Sequence, residues 1–118
     1  MGTGRIVTRL REMCLALPET RETFSWGHPN FRAGKRTFAT FEVVKGRPSI
    51  AFRLAAADVN RLLRRVSFFA TPYGRGQWVS VWADSRLDWD LVADLLQRSY
   101  RTVALKRMIS ALDQRLRS

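Results

Sequence analysis

The stretch 36–54, RTFATFEVVKGRPSIAFRL, decides the fold of this chain. In its first half, Phe38, Thr40 and Glu42 alternate with small or apolar residues. A period of two predicts a β-strand, and the β-branched and aromatic content agrees. The Lys-Gly pair at 45–46 separates this run from a second one. The stretch therefore predicts an antiparallel hairpin closed by a tight, basic turn.

Helices and further strands flank this hairpin. Residues 24–54 as a whole predict a meander of antiparallel strands, and a second β element is predicted over 67–82. Apolar side chains at helical spacing predict helices over 5–17, over 56–66 and from Asp88 onward. The last stretch forms either one bent helix or two. The predicted order is α-β-β-β-α-β-β-α(α), an α+β fold in which an antiparallel sheet is backed by helices.

Length and composition limit the classes of protein to which this chain can belong. A chain of 118 residues predicts a single domain over 1–118, and a hydrophobic content of 46% argues against disorder. No apolar run approaches the roughly 20 residues of a membrane span, and the first residues lack the apolar core of a signal peptide. The single cysteine, Cys14, lies on the apolar side of the first helix, which predicts a core position. One unpaired thiol fits a reducing, cytoplasmic compartment.

The charge balance is strongly basic. Lys and Arg number 21 against ten Asp and Glu, which gives a net charge of +11. Such a charge attracts polyanions, nucleic acid first, and arginine binds phosphate with two parallel donors. A solvated basic surface without any partner would have the same composition.

The basic residues gather at turns, with aromatic residues nearby in the chain. Hairpin tips of this kind can follow phosphates, since glycine lets backbone N–H groups approach, and aromatic rings can stack on bases. The competing explanation is that the aromatic residues form the core and the charges keep a sheet edge in solution. The residues predicted to bind nucleic acid are Arg32, Lys35, Arg36, Lys45, Arg47 and Arg75, with Trp26 and Tyr73 as stacking surfaces.

The sequence contains no recognisable catalytic or metal-binding pattern. His28 lies in the turn-like WGHP segment, and a closed pocket that brought it to an Asp or Glu would point to an enzyme instead. Asp88 is predicted to cap the last helical stretch. The neighbouring acidic residues are too few for a closed metal site, so we expect neither metal nor cofactor. These acidic residues are Asp84, Asp90 and Asp94.

Four segments resemble, in order, the MmcQ/YjbR family: LALPETRETFSWGHPNFRAGKRTFATF, SIAFRL, FFATPYGRGQWVSVW and DWDLVADLLQRSYRTVALKR. They carry a WG-x-P-x-FR motif at 26–32, a Pro-Tyr pair at 72–73 and a Ser-Tyr pair at 99–100. The resemblance implies a small bacterial protein with a CyaY-like fold, related to frataxin, and a double-wing arrangement of hairpins that binds DNA. Ala104 stands where the family usually has proline, which argues against a sharp break between the last two helices.

We therefore expect a monomeric, non-enzymatic DNA-binding protein whose affinity comes mainly from phosphate contacts. The alternative is an interaction or regulatory domain that binds an acidic protein or a small anion. In that alternative Trp26, Tyr73 and Trp78 line a pocket, and Arg32 or Arg53 holds the anion.

Overall fold

The computed structural model describes residues 3–84 and 86–118, and these residues form four helices and six strands. The helices are α1 (Thr3–Leu15), α2 (Ala56–Leu62), α3 (Trp89–Val103) and α4 (Lys106–Arg117). The strands are β1 (Arg21–Ser25), β2 (His28–Ala33), β3 (Arg36–Val44), β4 (Arg47–Arg53), β5 (Phe68–Ala70) and β6 (Trp78–Trp82).

The predicted α+β class, with an antiparallel sheet backed by helices, is confirmed. The first β unit has four strands rather than the three predicted. The additional strand is β1, which has no apolar alternation because it lies at an edge of the sheet with mostly exposed side chains. Helix α2 ends at Leu62 rather than at 66. Its last turn tightens into bonds from Arg64 N to Arg61 O and from Arg65 N to Leu62 O.

The C-terminal stretch forms two helices. Ala104 and Leu105 have extended backbone between them, with ψ of 149° and 157°. The sequence leaves open one bent helix or two, and the structure shows two; the break forms without the family's proline because any residue adopts this conformation readily. The break aims Met108 and Leu112 of α4 into the core.

The turns of the meander lie at opposite ends of the sheet. The strand order is β1-β2-β3-β4-β6-β5, all antiparallel. The turns at 26–27 and 45–46 therefore lie at one end, which we call the Lys45 end, and the turn at 34–35 lies at the other, the Lys35 end. Because Arg53 ends β4 and pairs with Trp78 of β6, the loop that precedes β6 also lies at the Lys35 end.

The two faces of the sheet differ in character. Phe41, Ile50 and Val81 are neighbours in register and belong to the buried core that α3 covers. The adjacent row on the opposite face is Thr40, Ala51 and Ser80, so this face is polar although it is buried. We call it the polar face.

Two contacts fix the helices to the sheet. The Tyr100 hydroxyl of α3 is buried and donates to the Pro18 carbonyl at 2.8 Å. Gly34, in the turn between β2 and β3, has a φ of +59°, and a Cβ added there would lie 2.9 Å from the Val103 carbonyl oxygen. Glycine is needed at this turn both for its backbone conformation and for the close approach of the α3–α4 junction.

Candidate functional sites

The basic residues predicted to bind nucleic acid divide between the two ends of the sheet. Strand β3 has nine residues, so at about 3.3 Å per residue it separates the ends by roughly 26 Å. Four of the six lie at the Lys35 end: Arg32, Lys35, Arg36 and Arg75. The other two, Lys45 and Arg47, lie at the Lys45 end.

Arg53 joins the four cations at the Lys35 end. It ends β4, and the Leu54 amide that follows it donates to the Gln77 carbonyl at 2.9 Å, which holds the loop of Arg75 beside this strand. The Arg32 guanidinium binds only neutral acceptors, Thr37 Oγ1 at 3.3 Å and Lys35 O at 2.7 Å. Within residues 3–84 and 86–118 none of these five cations forms an ion pair. We call them the basic cluster: Arg32, Lys35, Arg36, Arg53 and Arg75.

Arg47 already forms an ion pair with a carboxylate of the same chain. Its guanidinium donates to both Asp84 oxygens, at 2.5 and 3.1 Å, and lies 4.0 Å from the centre of the Trp82 ring. The hydrogen bond from Arg47 lowers the pKa of Asp84, and the same bond raises the pKa of Arg47. The donor fork that phosphate would need is therefore occupied by a carboxylate.

The two predicted stacking residues lie in different places. Trp26 is 94% exposed and lies in the turn at the Lys45 end, away from the basic cluster. Tyr73 shares the loop of Arg75, but its hydroxyl reaches Thr40 and Glu42 on the polar face. The two rings therefore do not form one stacking surface with the basic cluster.

A pocket opens where β2 parts from β3. The ladder between these strands reaches Asn30–Thr40 at this end and stops, whereas β3 continues beside β4 to Val44. Pro29 follows the last paired residue of β2 toward this end and has no amide N–H to donate to a ladder. The opening has a volume of about 910 Å³, and we call it the wedge pocket. Its aromatic lining includes Phe24, Trp26, Tyr73 and Trp78, and its polar lining includes His28, Asn30, Thr40 and Glu42.

Glu42 is the centre of the hydrogen bonds in this pocket. Its Oε1 accepts from the Tyr73 hydroxyl and from Thr40 Oγ1 at 3.3 Å, and lies 3.6 Å from His28 Nε2. The Glu42 side chain is 15% exposed. Burial raises the pKa of Tyr73, and the hydrogen bond to Glu42 raises it further. The phenol is therefore held as a neutral donor to a carboxylate.

Glu42 and Thr40 were not among the predicted site residues. A signal for Glu42 exists in the sequence, because a carboxylate between Phe41 and Val43 within a strand must find donors or water. The partners themselves are not visible there, since Tyr73 is 31 residues away. His28 does enter β2 from the turn that WGHP predicted, and it also faces an acid.

The pocket matches the aromatic half of the alternative hypothesis and contradicts its charged half. Trp26, Tyr73 and Trp78 all line it, as that hypothesis required, but neither Arg32 nor Arg53 does. Arg11 does line it, and this guanidinium is held by Glu22 at 2.6 and 3.0 Å. A small anion would meet Glu42 rather than an available cation, so the lining does not favour an anion.

Comparison with known families settles the lineage of this fold. The family model described as YjbR matches residues 15–102. The chain belongs to the YjbR family. The match covers the six strands, most of the residues that line the wedge pocket and nearly all of α3, and it confirms the resemblance found in the sequence. No protein of curated function matches the chain.

Solved structures share the fold of this YjbR protein. A Deinococcus radiodurans protein described as a DUF419 domain is 22% identical with a TM-score of 0.74, covering 91% of this chain and 87% of that one. A crystal structure from Pseudomonas syringae is 13% identical with a TM-score of 0.68, covering 87% and 99%. A solution structure from the same organism is 13% identical with a TM-score of 0.66, covering 90% and 95%. These likenesses show the fold alone.

The acidic residues near α3 have structural roles in this family member. Asp88 caps α3 as predicted, accepting from the amides of Asp90 and Leu91 at 3.1 and 3.2 Å. Asp94 pairs with Arg98 at 2.9 Å. In the part of the chain that the structure describes, no group of three or more metal-ligating side chains comes together. Nor does any described helix have the length and apolar character to cross a bilayer.

Proposed function

We propose that this YjbR protein is a non-enzymatic DNA-binding protein that contacts the duplex through phosphates at the basic cluster. One observation carries the proposal: five cations without ion-pair partners among the described residues lie at one end of the sheet. Their elements follow one another from β2 through β3 and β4 to the loop before β6. Three spacings of about 4.8 Å give a width of about 14 Å.

This width suits a duplex. A length of 14 Å along B-form DNA carries about eight phosphate charges, counting both strands. Arg32, Lys35, Arg36, Arg53 and Arg75 can therefore each meet a phosphate without converging on one. Phosphate contacts of this kind fix position and provide affinity, but they do not read sequence. We expect a site with weak sequence preference and strong salt dependence.

The wedge pocket does not favour covalent catalysis. It places His28, Glu42 and Tyr73 together, but its lining residues include neither serine nor cysteine. The thiol of Cys14 is fully buried in the core, and burial raises its pKa. The pocket does bring His28 to 3.6 Å from Glu42, which is a contact that favours an enzyme, so the non-enzymatic part of the proposal rests on the lack of a serine or cysteine nucleophile in this lining.

Charge reversal at the two ends of the sheet tests the proposal. We would measure fluorescence anisotropy of a labelled duplex between about 50 and 200 mM salt. The wild type, with five contacts, is expected to give a slope of about −4.5 in log K against log salt. Lys35→Glu with Arg75→Glu should reduce it to about −2.7.

The matched control makes the same change of charge elsewhere. Lys45 and Arg64 are exposed and lie outside the basic cluster, so Lys45→Glu with Arg64→Glu should leave most of the slope in place. Equal losses in the two double variants would mean that net charge alone attracts DNA, and the basic cluster would not be the site. Retention of an acidic protein from nuclease-treated lysate, with no DNA binding at about physiological salt, would favour the protein-partner alternative.

A further inference from the structure

Several aromatic side chains line the wedge pocket, and two of them form a corner. Trp26, Tyr73, Trp78 and Phe24 all line it, and Tyr73 and Trp78 meet at 62° with ring centres 5.7 Å apart. Rings set at an angle to each other form a corner rather than a stack. A volume of about 910 Å³ is within the range of small-molecule pockets.

The carboxylate of Glu42 gives this corner a negative charge. All three of its polar neighbours, Tyr73, Thr40 and His28, approach Oε1. Among residues 3–84 and 86–118, Oε2 has no hydrogen-bond or ion-pair partner, and it is not one of the buried polar atoms left without a partner. One carboxylate oxygen thus remains accessible for a donor that enters the pocket.

We propose that the wedge pocket binds a small organic cation, whose ammonium group contacts the aromatic corner and Glu42. The faces of aromatic rings carry negative potential that attracts cations, and quaternary ammonium ligands are typically held by several such rings. The carboxylate adds charge complementarity. No cation in the lining competes, because Arg11 is already bound to Glu22 through two hydrogen bonds.

The residues varied below lie outside the proposed DNA contact. Trp26 and Glu42 line the wedge pocket near the Lys45 end, although Tyr73 and Trp78 extend the pocket toward the basic cluster at the Lys35 end. A variant of Trp26 or Glu42 therefore leaves the basic cluster available for measurement.

Choline and its neutral carbon isostere, 3,3-dimethylbutan-1-ol, test the proposal because they share a shape and differ in charge. We would titrate each into the isotopically labelled full chain and follow backbone amide shifts. Choline should shift the amides of Gly27, Asn30 and Glu42 with saturation below about 50 mM. The alcohol should bind at least about fivefold more weakly, the ratio expected from a cation–π contribution of about 1 kcal/mol.

Two variants locate the binding. Trp26→Ala changes a side chain that is almost fully exposed and should leave the fold intact, yet it should weaken choline binding. Glu42→Gln keeps an acceptor for Tyr73 and removes the charge. Glu12→Gln on α1 makes the same change of charge outside the pocket and should bind choline like the wild type.

Three results would overturn the proposal. The first is no shift with choline up to about 50 mM, which is weaker binding than a formed site would give. The second is equal affinity for the alcohol, which would make the pocket merely apolar. The third is unchanged choline binding in both Trp26→Ala and Glu42→Gln.

Discussion

Replacing Gly34 by alanine should measure how firmly the helices hold the turn that carries Lys35. The φ of +59° at this position costs an alanine about 1–2 kcal/mol. The lower flexibility of the unfolded alanine chain returns about 0.4–1 kcal/mol. The new Cβ would also lie 2.9 Å from the Val103 carbonyl oxygen, a backbone atom at the end of α3 that cannot swing away. Forcing such a contact adds about 1–3 kcal/mol.

Gly46 provides the matched control at the opposite end of the sheet. Its φ is +78°, and an added Cβ would meet nothing within 4 Å. Gly46→Ala should therefore show the backbone cost alone, about 1 kcal/mol, whereas Gly34→Ala should lose about 2–4 kcal/mol. The difference between the variants isolates the contact with the α3–α4 junction.

Urea unfolding followed by tryptophan fluorescence gives both free energies of unfolding. The comparison requires equal m-values, since a changed m would report a changed unfolded or native state. In thermal melts the difference should appear as a lower Tm for Gly34→Ala, by about 4 °C for each kcal/mol. If the two variants fall within about 0.5 kcal/mol of each other, the junction does not press on the turn, and the reasoning is refuted.

Three further predictions concern Tyr73, Tyr100 and Cys14. The raised pKa of Tyr73 means that its contribution to stability is complete below its ordinary value of 10.0 and is lost as pH rises above it. Tyr73→Phe should therefore lose less stability than the wild type between pH 10 and about 12 in circular dichroism melts, and parallel losses would contradict this. Tyr100→Phe leaves the Pro18 carbonyl without its donor and should cost about 1–3 kcal/mol in urea unfolding; a loss below about 0.5 kcal/mol would disprove it. Cys14 is fully buried and should react with a thiol reagent only after unfolding; rapid labelling of the native protein would show the burial to be wrong.

Much of the fold could be predicted because its signals are local. The alternation in 36–54, the helical spacing around Leu10 and Cys14, and the cap at Asp88 each depend on residues within a turn or two. Strand β1 lacked such a signal, since it pairs on one side only and most of its side chains are exposed. Pairing with β2 determines where β1 lies in the sheet, and the residues of β1 alone carry no signal of that pairing.

The candidate sites depend on contacts between distant residues, and these were less predictable. Asp84, which occupies Arg47, is 37 residues away from it in the chain. The pairing of Glu42 with Tyr73 depends on how one loop crosses the polar face. The separation of Lys35 from Lys45 was predictable in principle, since consecutive turns of a meander lie at opposite ends of a sheet. Grouping all turn-borne cations as one surface overlooked that constraint.

A net charge of +11 says less about a binding surface than the pairing of each cation does. Six arginines are joined to carboxylates among the described residues, and Arg47 is one of them although it lies at a hairpin. Arg11, which lines the wedge pocket, is likewise paired with a carboxylate, that of Glu22, so Glu42 determines the charge there. At the Lys35 end no carboxylate pairs with the basic cluster. The arrangement of ion pairs, rather than the net charge, therefore distinguishes the basic cluster from the wedge pocket, and the proposed DNA contact and the proposed cation site each depend on that difference.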